Sequence, residues 1–429
     1  MLDYKFIVEN EASVKLNVAN RAVSADVDAV VRLYAERTAL DTGLQALRQK
    51  RNENAASMKG RAAAALEPGQ RGALVEEGRR LKDEIAAAEA ELSAVERELE
   101  ARAREIPNMA HPDAPIGGGD ADNVEVKRVG EPPAFDFAPA DHARLALDLD
   151  IVDFDAATKV SGTKFYYLKN EGVFLELGLV RYALDVLTAK GFTPFVTPDV
   201  ARTEILEGIG FNPRGDESNV YALEGEASCL VGTAEITLGG FHAGEILGKE
   251  RLPLRMAGLS HCFRREAGAA GQFSKGLYRV HQFTKLEMFV VCLPEDSERM
   301  HLWLREIEEE IFAGLEIPFR VVDTCVGDLG APAFRKWDLE AWMPGRADGG
   351  GWGEVTSTSN CADFQARRLN VRYKDDDGKN RFVHMLNGTA IAVPRAIIAL
   401  LENHQRADGS VRIPPALRPY VGFDEIAKK

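Results

Sequence analysis

The sequence predicts an α+β protein: an antiparallel sheet with flanking helices, preceded by a long antiparallel α-helical coiled-coil arm. Residues 26–106 are rich in Ala, Glu, Arg and Leu, almost free of aromatics, and place apolar side chains at heptad spacing. Further on, strand-like runs such as "GLYRVHQFTKLEMFVVC" and "FRVVDTCV" alternate with helical stretches such as "SERMHLWLREIEEEIFAGL". They lack the regular βαβ order of a parallel sheet. Between these textures, "IPNMAHPDAPIGGGDADN" (106–123) is rich in Pro, Gly and Asp and reads as a linker. The expected division is an N-terminal domain over 1–110 and a second domain over 111–429.

The arm follows from two apolar seams. Leu33, Leu40, Leu44, Leu47 and Met58 line the first helix, interrupted by Arg37, Arg51 and Asn54. Leu74, Leu81, Ile85, Ala88, Leu92, Val95, Leu99 and Ile106 line the second. The connector "GRAAAALEPGQRG" is short enough to make the helices antiparallel neighbours. Residues 48–82 hold nine basic side chains against four acidic ones, and the second helix then turns acidic. That basic stretch reads either as a site for a polyanion or as the solvated charge of an ordinary coiled coil.

In the second domain, "EGVFLELGLVRYALDVLTAKG" (171–191) predicts an amphipathic helix ending at Gly191, and "FTPFVTPDVA" a strand broken by Pro194 and Pro198. The chain has 45 % apolar residues and a formal charge of −14, which disfavours indiscriminate binding to nucleic acid or anionic membrane. The cysteines Cys229, Cys262, Cys292, Cys325 and Cys361 are odd in number and widely spaced, so neither a disulfide framework nor a zinc site is expected. No apolar run is long enough to span a bilayer, and the N-terminal stretch lacks a signal core. A cytoplasmic protein without membrane contact is expected.

Against this acidic background, "CFRREAGAAGQFSKGLYRVHQFTKLEMF" (262–289) concentrates cations. Two strand-like segments flank a Gly-rich loop, predicting a hairpin with Arg264 and Glu266 on one leg and His281, Phe283, Lys285 and Glu287 aligned on the other. Whether the two sets share a face depends on register. Guanidinium groups suit phosphate or carboxylate, an aromatic ring can stack a base, and an interior carboxylate can receive an ammonium group. A surface hairpin of alternating charges is the alternative.

Taken in order, the segments resemble the class II aminoacyl-tRNA synthetases, and among them the seryl-tRNA synthetase family. "GFTPFVTPDV" (191–200), with Pro198, is similar to the first class motif, "FRREAG" with "GLYRVHQFTKLE" to the second, and "HMLNGTAIAVPRAIIALLENHQ" (384–405) to the third. "VGTAEI" (231–236), "GEVTSTSNCADFQARR" (353–368) and the arm match further features of the family. The resemblance spans essentially the whole chain. It implies activation of L-serine by ATP to seryl-adenylate and transfer of the seryl group to the 3′ end of serine tRNA, with selenocysteine tRNA left open as a second acceptor. A homodimer is implied by the Pro198 motif.

Residue by residue, the resemblance implies that Arg264, Arg395 and Glu354 are catalytic. ATP would be held by Arg264, Arg265, Glu266, Val280, Phe283, Glu354, Val355, Thr356, Ser357 and Arg395, with magnesium on Glu354 and Ser357. Serine would lie among Thr233, Ala234, Glu235, Glu287 and Thr389, and tRNA would meet Arg48, Arg51, Arg79 and Arg80. Position 265 is variable in the family that the chain resembles, so Arg265 takes no catalytic role, Lys285 reads more as a structural ion pair, and His301, His384 and His404 read as packing or surface residues. The rival readings are a paralogue with a regulatory or structural role that no longer charges tRNA, and a ligase that loads a carrier protein.

Overall fold

The computed structural model describes residues 1–59, 67–212, 219–267 and 275–428. The chain divides into two compact units, Met1–Met109 and Ala110–Lys429.

In the first unit, helices α1 (Tyr4–Glu9), α2 (Glu11–Asn20), α3 (Val27–Ser57) and α4 (Pro68–Glu105) follow one another. Asp26 caps α3 by accepting from the Ala29 N–H at 2.9 Å. The two long helices run antiparallel, and ion pairs cross between them: Arg37 with Glu96 at 3.2 Å and Arg48 with Glu89 at 2.8 Å. Leu44, Leu81, Ile85 and Leu99 are buried along the expected seam. The polar interruption at Asn54 is met on one side, its amide nitrogen donating to the Leu74 carbonyl at 3.0 Å, while its Oδ1 has no hydrogen-bond partner among the described residues. One boundary differs from expectation. Residues 68–72 of the predicted connector already belong to α4, because Pro68 occupies the first helical position, where no N–H is needed and its fixed φ suits the helix. Residues 60–66 of that connector lie outside the described residues.

The second unit is built on an eight-stranded sheet. Its strands are β1 (Val124–Val129), β2 (Thr193–Val196), β3 (Leu254–Phe263), β4 (Gln282–Cys292), β5 (Phe319–Asp323), β6 (Arg335–Met343), β7 (Gly351–Asn360) and β8 (His384–Ala392), in spatial order β1-β5-β6-β7-β8-β4-β3-β2. Every pair is antiparallel except β2 with β3, the broken strand predicted at 192–201. The linker has no long regular element, yet it is pinned: the His111 N–H donates to the Phe334 carbonyl at 2.7 Å and the Val326 N–H to the Pro115 carbonyl at 2.8 Å.

Alternation along β4 divides its side chains. Leu286, Met288, Val290 and Cys292 enter one core together with α5 (Glu171–Ala189), α7 (Ser297–Gly314) and α8 (Val393–His404). Phe289 and Val291 enter a second core on the opposite face, while Phe283, Lys285 and Glu287 face a cleft. Helix α6 (Ala234–Gly240) lies on β3 at Gly258, where any Cβ would stand 2.8 Å from Leu238 and 2.9 Å from Ala234.

Within the arm, Leu81→Ala removes a buried seam side chain whose space no local element can refill. It should destabilise the helical hairpin by about 2–3 kcal/mol, read as weaker hydrogen-exchange protection in α3 and α4.

Candidate active site

The cleft encloses about 830 Å³. Thirteen of the predicted site residues line it: Thr233, Glu235, Arg264, Glu266, Val280, Phe283, Glu287, Glu354, Val355, Thr356, Ser357, Thr389 and Arg395. Ala234 and Arg265 do not. Ala234 is buried against Gly258, so its side chain belongs to the packing of α6. Arg265 is exposed, and its backbone N–H donates to the Asn219 carbonyl at 3.0 Å.

One end of the cleft is arranged around Glu287. In the ladder it stands opposite Gly258 on β3 and Thr389 on β8. Between Thr389 and Ile391 the register shifts at Ala390, a bulge that bends β8 beside the cleft. Thr233, the N-cap of α6, donates its hydroxyl to Glu287 Oε2 at 3.1 Å and accepts from the Glu235 N–H at 3.2 Å. Lys285 Nζ forms an ion pair with Glu287, as expected for a structural pair, and also lines the cleft. Glu235 Oε1 accepts from Gln365 at 2.7 Å and from Asn387 at 2.9 Å, which fixes the carboxyl group in place. Burial, reinforced by the charge of Glu287, pushes the Glu235 pKa up to about 7.

The other end is cationic and aromatic. Arg264 reaches toward the Gly232 carbonyl and holds its guanidinium 5.3 Å from the centre of the Phe283 ring. Arg395, near the start of α8, donates to the Glu354 carbonyl at 3.0 Å and pairs with its carboxylate at 3.2 Å. Its guanidinium lies 4.8 Å from the centre of the Tyr278 ring. Glu266 accepts from Arg279 at 3.1 Å. Glu354 follows opposing influences: desolvation pushes its pKa up, and the nearby charges of Arg395, Lys336 and Arg264 outweigh it, leaving the group below the usual carboxylate range. A second bulge, at Val355 between Glu354 and Thr356, helps turn these consecutive residues toward the cleft.

Behind this wall, Thr356 donates to Glu308 Oε2 at 3.1 Å. Burial pushes the Glu308 pKa well above the carboxylate range, and its Oε1 has no hydrogen-bond partner among the described residues. The three histidines read as packing residues are satisfied internally. His301 bonds the Thr358 carbonyl at 3.0 Å and stacks on Trp337, His384 meets Ser297 Oγ at 2.9 Å, and His404 meets the Leu315 carbonyl at 2.9 Å.

Two sequence expectations need correction. β3 ends at Phe263, so alternation does not place Arg264 and Glu266 on one strand face, and Glu266 takes a positive φ of 48°. His281 precedes β4 and is held by a bond between its Nδ1 and the Arg264 carbonyl at 2.9 Å, outside the cleft lining. Residues 268–274 of the Gly-rich loop lie outside the described residues. Tyr278, Lys336 and Asn387 also line the cleft and were not expected there. Asn387 was within reach of the sequence, since it lies two positions before Thr389 on the same strand face. Lys336 enters through the β6–β7 pairing, which no local pattern announces.

Comparison with known proteins bears on this geometry. The serine–tRNA ligase of Treponema denticola is 66% identical over 426 residues, which cover 99% of this chain and 100% of the relative. The chain belongs to the seryl-tRNA synthetase family. The model of the seryl-tRNA synthetase N-terminal domain matches residues 1–110, and that of the tRNA synthetase class II core domain (G, H, P, S and T) matches 221–404. The serine–tRNA ligase of Borrelia recurrentis is 54% identical, with 100% of both chains covered. Among solved structures, seryl-tRNA synthetase from Pyrococcus horikoshii complexed with ATP superposes with a TM-score of 0.93 at 41% identity, covering 100% of both chains. As a seryl-tRNA synthetase family member, the chain is a class II ligase of serine and tRNA.

The shifted carboxyl group of Glu235 has a consequence for stability. It protonates near 4.5 in the unfolded chain and near 7 in the folded one, so between those values the folded state holds more protons. Its contribution to stability is therefore fully present below about pH 4.5 and falls as pH rises toward 7. Glu235→Gln should flatten that part of the slope, by at most about 1.4 kcal/mol per pH unit, in thermal melts recorded from pH 4 to 8.

Proposed function

We propose that the cleft activates L-serine with ATP and that the seryl group then passes to the 3′ end of a serine tRNA. The observation that carries this reading is the juxtaposition, in one cleft, of a carboxylate and hydroxyl cluster (Glu235, Glu287, Thr233, Thr389) with a cationic and aromatic cluster (Arg264, Arg395, Phe283, Tyr278). The first suits the ammonium and hydroxyl of serine. Glu287 can accept from both groups, and a site built to hydrogen-bond the hydroxyl disfavours alanine by leaving buried polar groups unmatched. The second suits a triphosphate and a base.

In the reaction a serine carboxylate oxygen forms a bond to the α-phosphorus, and the bond from that phosphorus to the bridging oxygen breaks, releasing pyrophosphate. Arg264 neutralises the repulsion between the two anions and stabilises charge as it develops. Phe283 supplies a face for adenine and Val280 an apolar wall. Glu266 takes a nucleotide contact. Arg395, now paired with Glu354, is released to the terminal phosphate when the nucleotide enters. Val355 and Thr356 form the wall beside it.

Glu354 and Ser357 present hard oxygen donors into the cleft, and the depressed pKa of Glu354 keeps it anionic, so the pair fits magnesium. When bound, magnesium would neutralise phosphate charge.

A homodimer is supported by the apolar side chains left exposed on α5, Phe174 and Leu177, and by exposed Val196, two residues before Pro198. A cytoplasmic location is supported by five free, buried cysteines, as expected in a reducing compartment. Serine-dependent exchange between ATP and pyrophosphate tests the central reading. Serine should be preferred among the standard amino acids, and Arg264→Ala should lower the rate by roughly two orders of magnitude, about 3 kcal/mol, while remaining folded. A folded Arg264→Ala variant within tenfold of the parent would sink the assignment.

We propose the basic part of the arm as the tRNA-binding surface. Arg48 is engaged by Glu89, and Arg80 by Glu77 and Glu84, whereas Arg51 and Arg79 are exposed and have no ion pair among the described residues. Replacing Arg51 and Arg79 by Gln should raise the KM for tRNA more than replacing Arg48 and Arg80. The slope of log K against log salt should flatten by up to about 0.9 for each phosphate that the variant no longer neutralises. Kinetics with serine and ATP in the exchange reaction should not move.

A further inference from the structure

We propose that His142 and Glu402 form a buried strut that sets the segment Gly276–Tyr278, and through it the guanidinium of Arg395, so that both act as positioning residues for the phosphate end of the cleft. The inference rests on the reading of that cleft as the ATP site and adds to it residues outside the cleft lining.

Glu402 lies on α8 about two helical turns beyond Arg395 and is 1 % exposed. Its carboxylate receives three donors. Oε1 takes the His142 backbone N–H at 2.9 Å and faces His142 Nδ1 at 2.8 Å, while Oε2 takes the Gly345 N–H at 2.8 Å. The imidazole therefore carries its hydrogen on Nδ1, toward the carboxylate. The opposite nitrogen, Nε2, is left as an acceptor and receives the Leu277 N–H at 3.3 Å. One ring thus joins the far half of α8 to the segment leading into β4.

The fit on that side is tight. Gly276 has a φ of +64°, and a Cβ there would stand 2.4 Å from His142 Nε2. Only glycine lets the Leu277 N–H approach the ring. Lys275 adds an outer tie, its Nζ lying 2.8 Å from Asp141 Oδ2.

The next residue explains why the position of this segment matters. The Tyr278 ring carries the guanidinium of Arg395 at 4.8 Å and that of Arg346 at 4.5 Å, and its hydroxyl donates to the Glu354 carbonyl at 3.4 Å. A shift of Leu277 moves the platform on which Arg395 rests. Because Arg395 and Glu402 belong to the same helix, the strut closes a loop: α8 carries the arginine at one end and anchors its aromatic support from the other. A cavity of about 70 Å³ beside the dyad, lined by His142, Tyr278, Arg346 and Glu402, leaves room for Tyr278 to move once the tie is cut.

The two nitrogens can be tested separately in the full-length chain. His142→Asn keeps a donor near the Nδ1 position for Glu402 but offers nothing to Leu277. His142→Gln extends an acceptor to the Nε2 position for Leu277 but deprives the buried carboxylate of a donor. In serine-dependent pyrophosphate exchange, His142→Asn should raise the KM for ATP about tenfold, the loss of one hydrogen bond, with the KM for serine nearly unchanged. His142→Gln should keep the KM for ATP within about threefold of the parent although its melting temperature falls further, since unmatching a buried carboxylate is the larger penalty. Gly276→Ala, which keeps the His142 side chain as a donor for Glu402 and crowds only its Nε2 side, should reproduce the His142→Asn effect and serves if that variant does not fold. The proposal is overturned if the KM for ATP follows melting temperature across the variants, if the KM for serine rises in parallel, or if Gly276→Ala binds ATP normally. A parent chain without serine-dependent exchange would instead refute the reading of the cleft, and the strut with it.

Discussion

The register of three neighbouring strands about Glu287 is the constraint on which the cleft depends. Glu287 faces Gly258 on one side and Thr389 on the other, and each neighbour has a defined part. Gly258 lacks the Cβ that would hold α6 away, so Thr233 can reach the Glu287 carboxylate and Glu235 can follow it. The bulge after Thr389 opens β8 at the same level. A slip of one residue in β4 would send Glu287 into the apolar core and Leu286 into the cleft. The long run of buried apolar residues on the other face of β4 makes that slip costly, so the substrate pocket inherits its precision from the core.

Charge in the cleft is held in graded environments. Glu287 is paired with Lys285, and Glu354 is held ionised by Arg395, Lys336 and Arg264, whereas burial and the like charge of Glu287 push Glu235 toward neutrality against its amide donors. Glu308, one layer deeper, is pushed up by burial and supports the Thr356 hydroxyl. Glu235, Glu308 and Glu354 therefore differ in readiness to ionise according to depth and partner. Ionised groups stand where cationic ligands and cations of the protein meet them, and the group with least compensation lies where only a hydrogen-bonding scaffold is required.

The arm obeys different physics. Its seam is narrow, and its long side chains are largely exposed, so its surface ion pairs contribute little to stability. Their effect is selective. Arg48 and Arg80 are matched by carboxylates, and Arg51 and Arg79 are left with exposed charge. Charge distribution on such a surface governs the attraction of a polyanion more than it governs the fold.

The sequence by itself determined the α+β class, the helical arm with its seam, the alternation of β4, and thirteen of the residues that line the cleft. Heptad spacing, period-two patterning and ordered motifs are all local signals, and local signals survive in a linear chain. The structure alone decided which neighbours those residues meet. Arg264 and Glu266 lie past the end of a strand, where alternation has no authority, and Ala234 turned inward because Gly258 admits it. Lys336 reached the cleft through strand pairing, and Tyr278 through side-chain contacts with Glu354 and Arg395 on distant segments. The His142–Glu402 dyad joins residues 260 positions apart, and no motif marks His142 as a partner for Glu402. Such pairings are fixed by burial and by the need to satisfy buried polar groups, conditions that exist only once the chain has closed on itself.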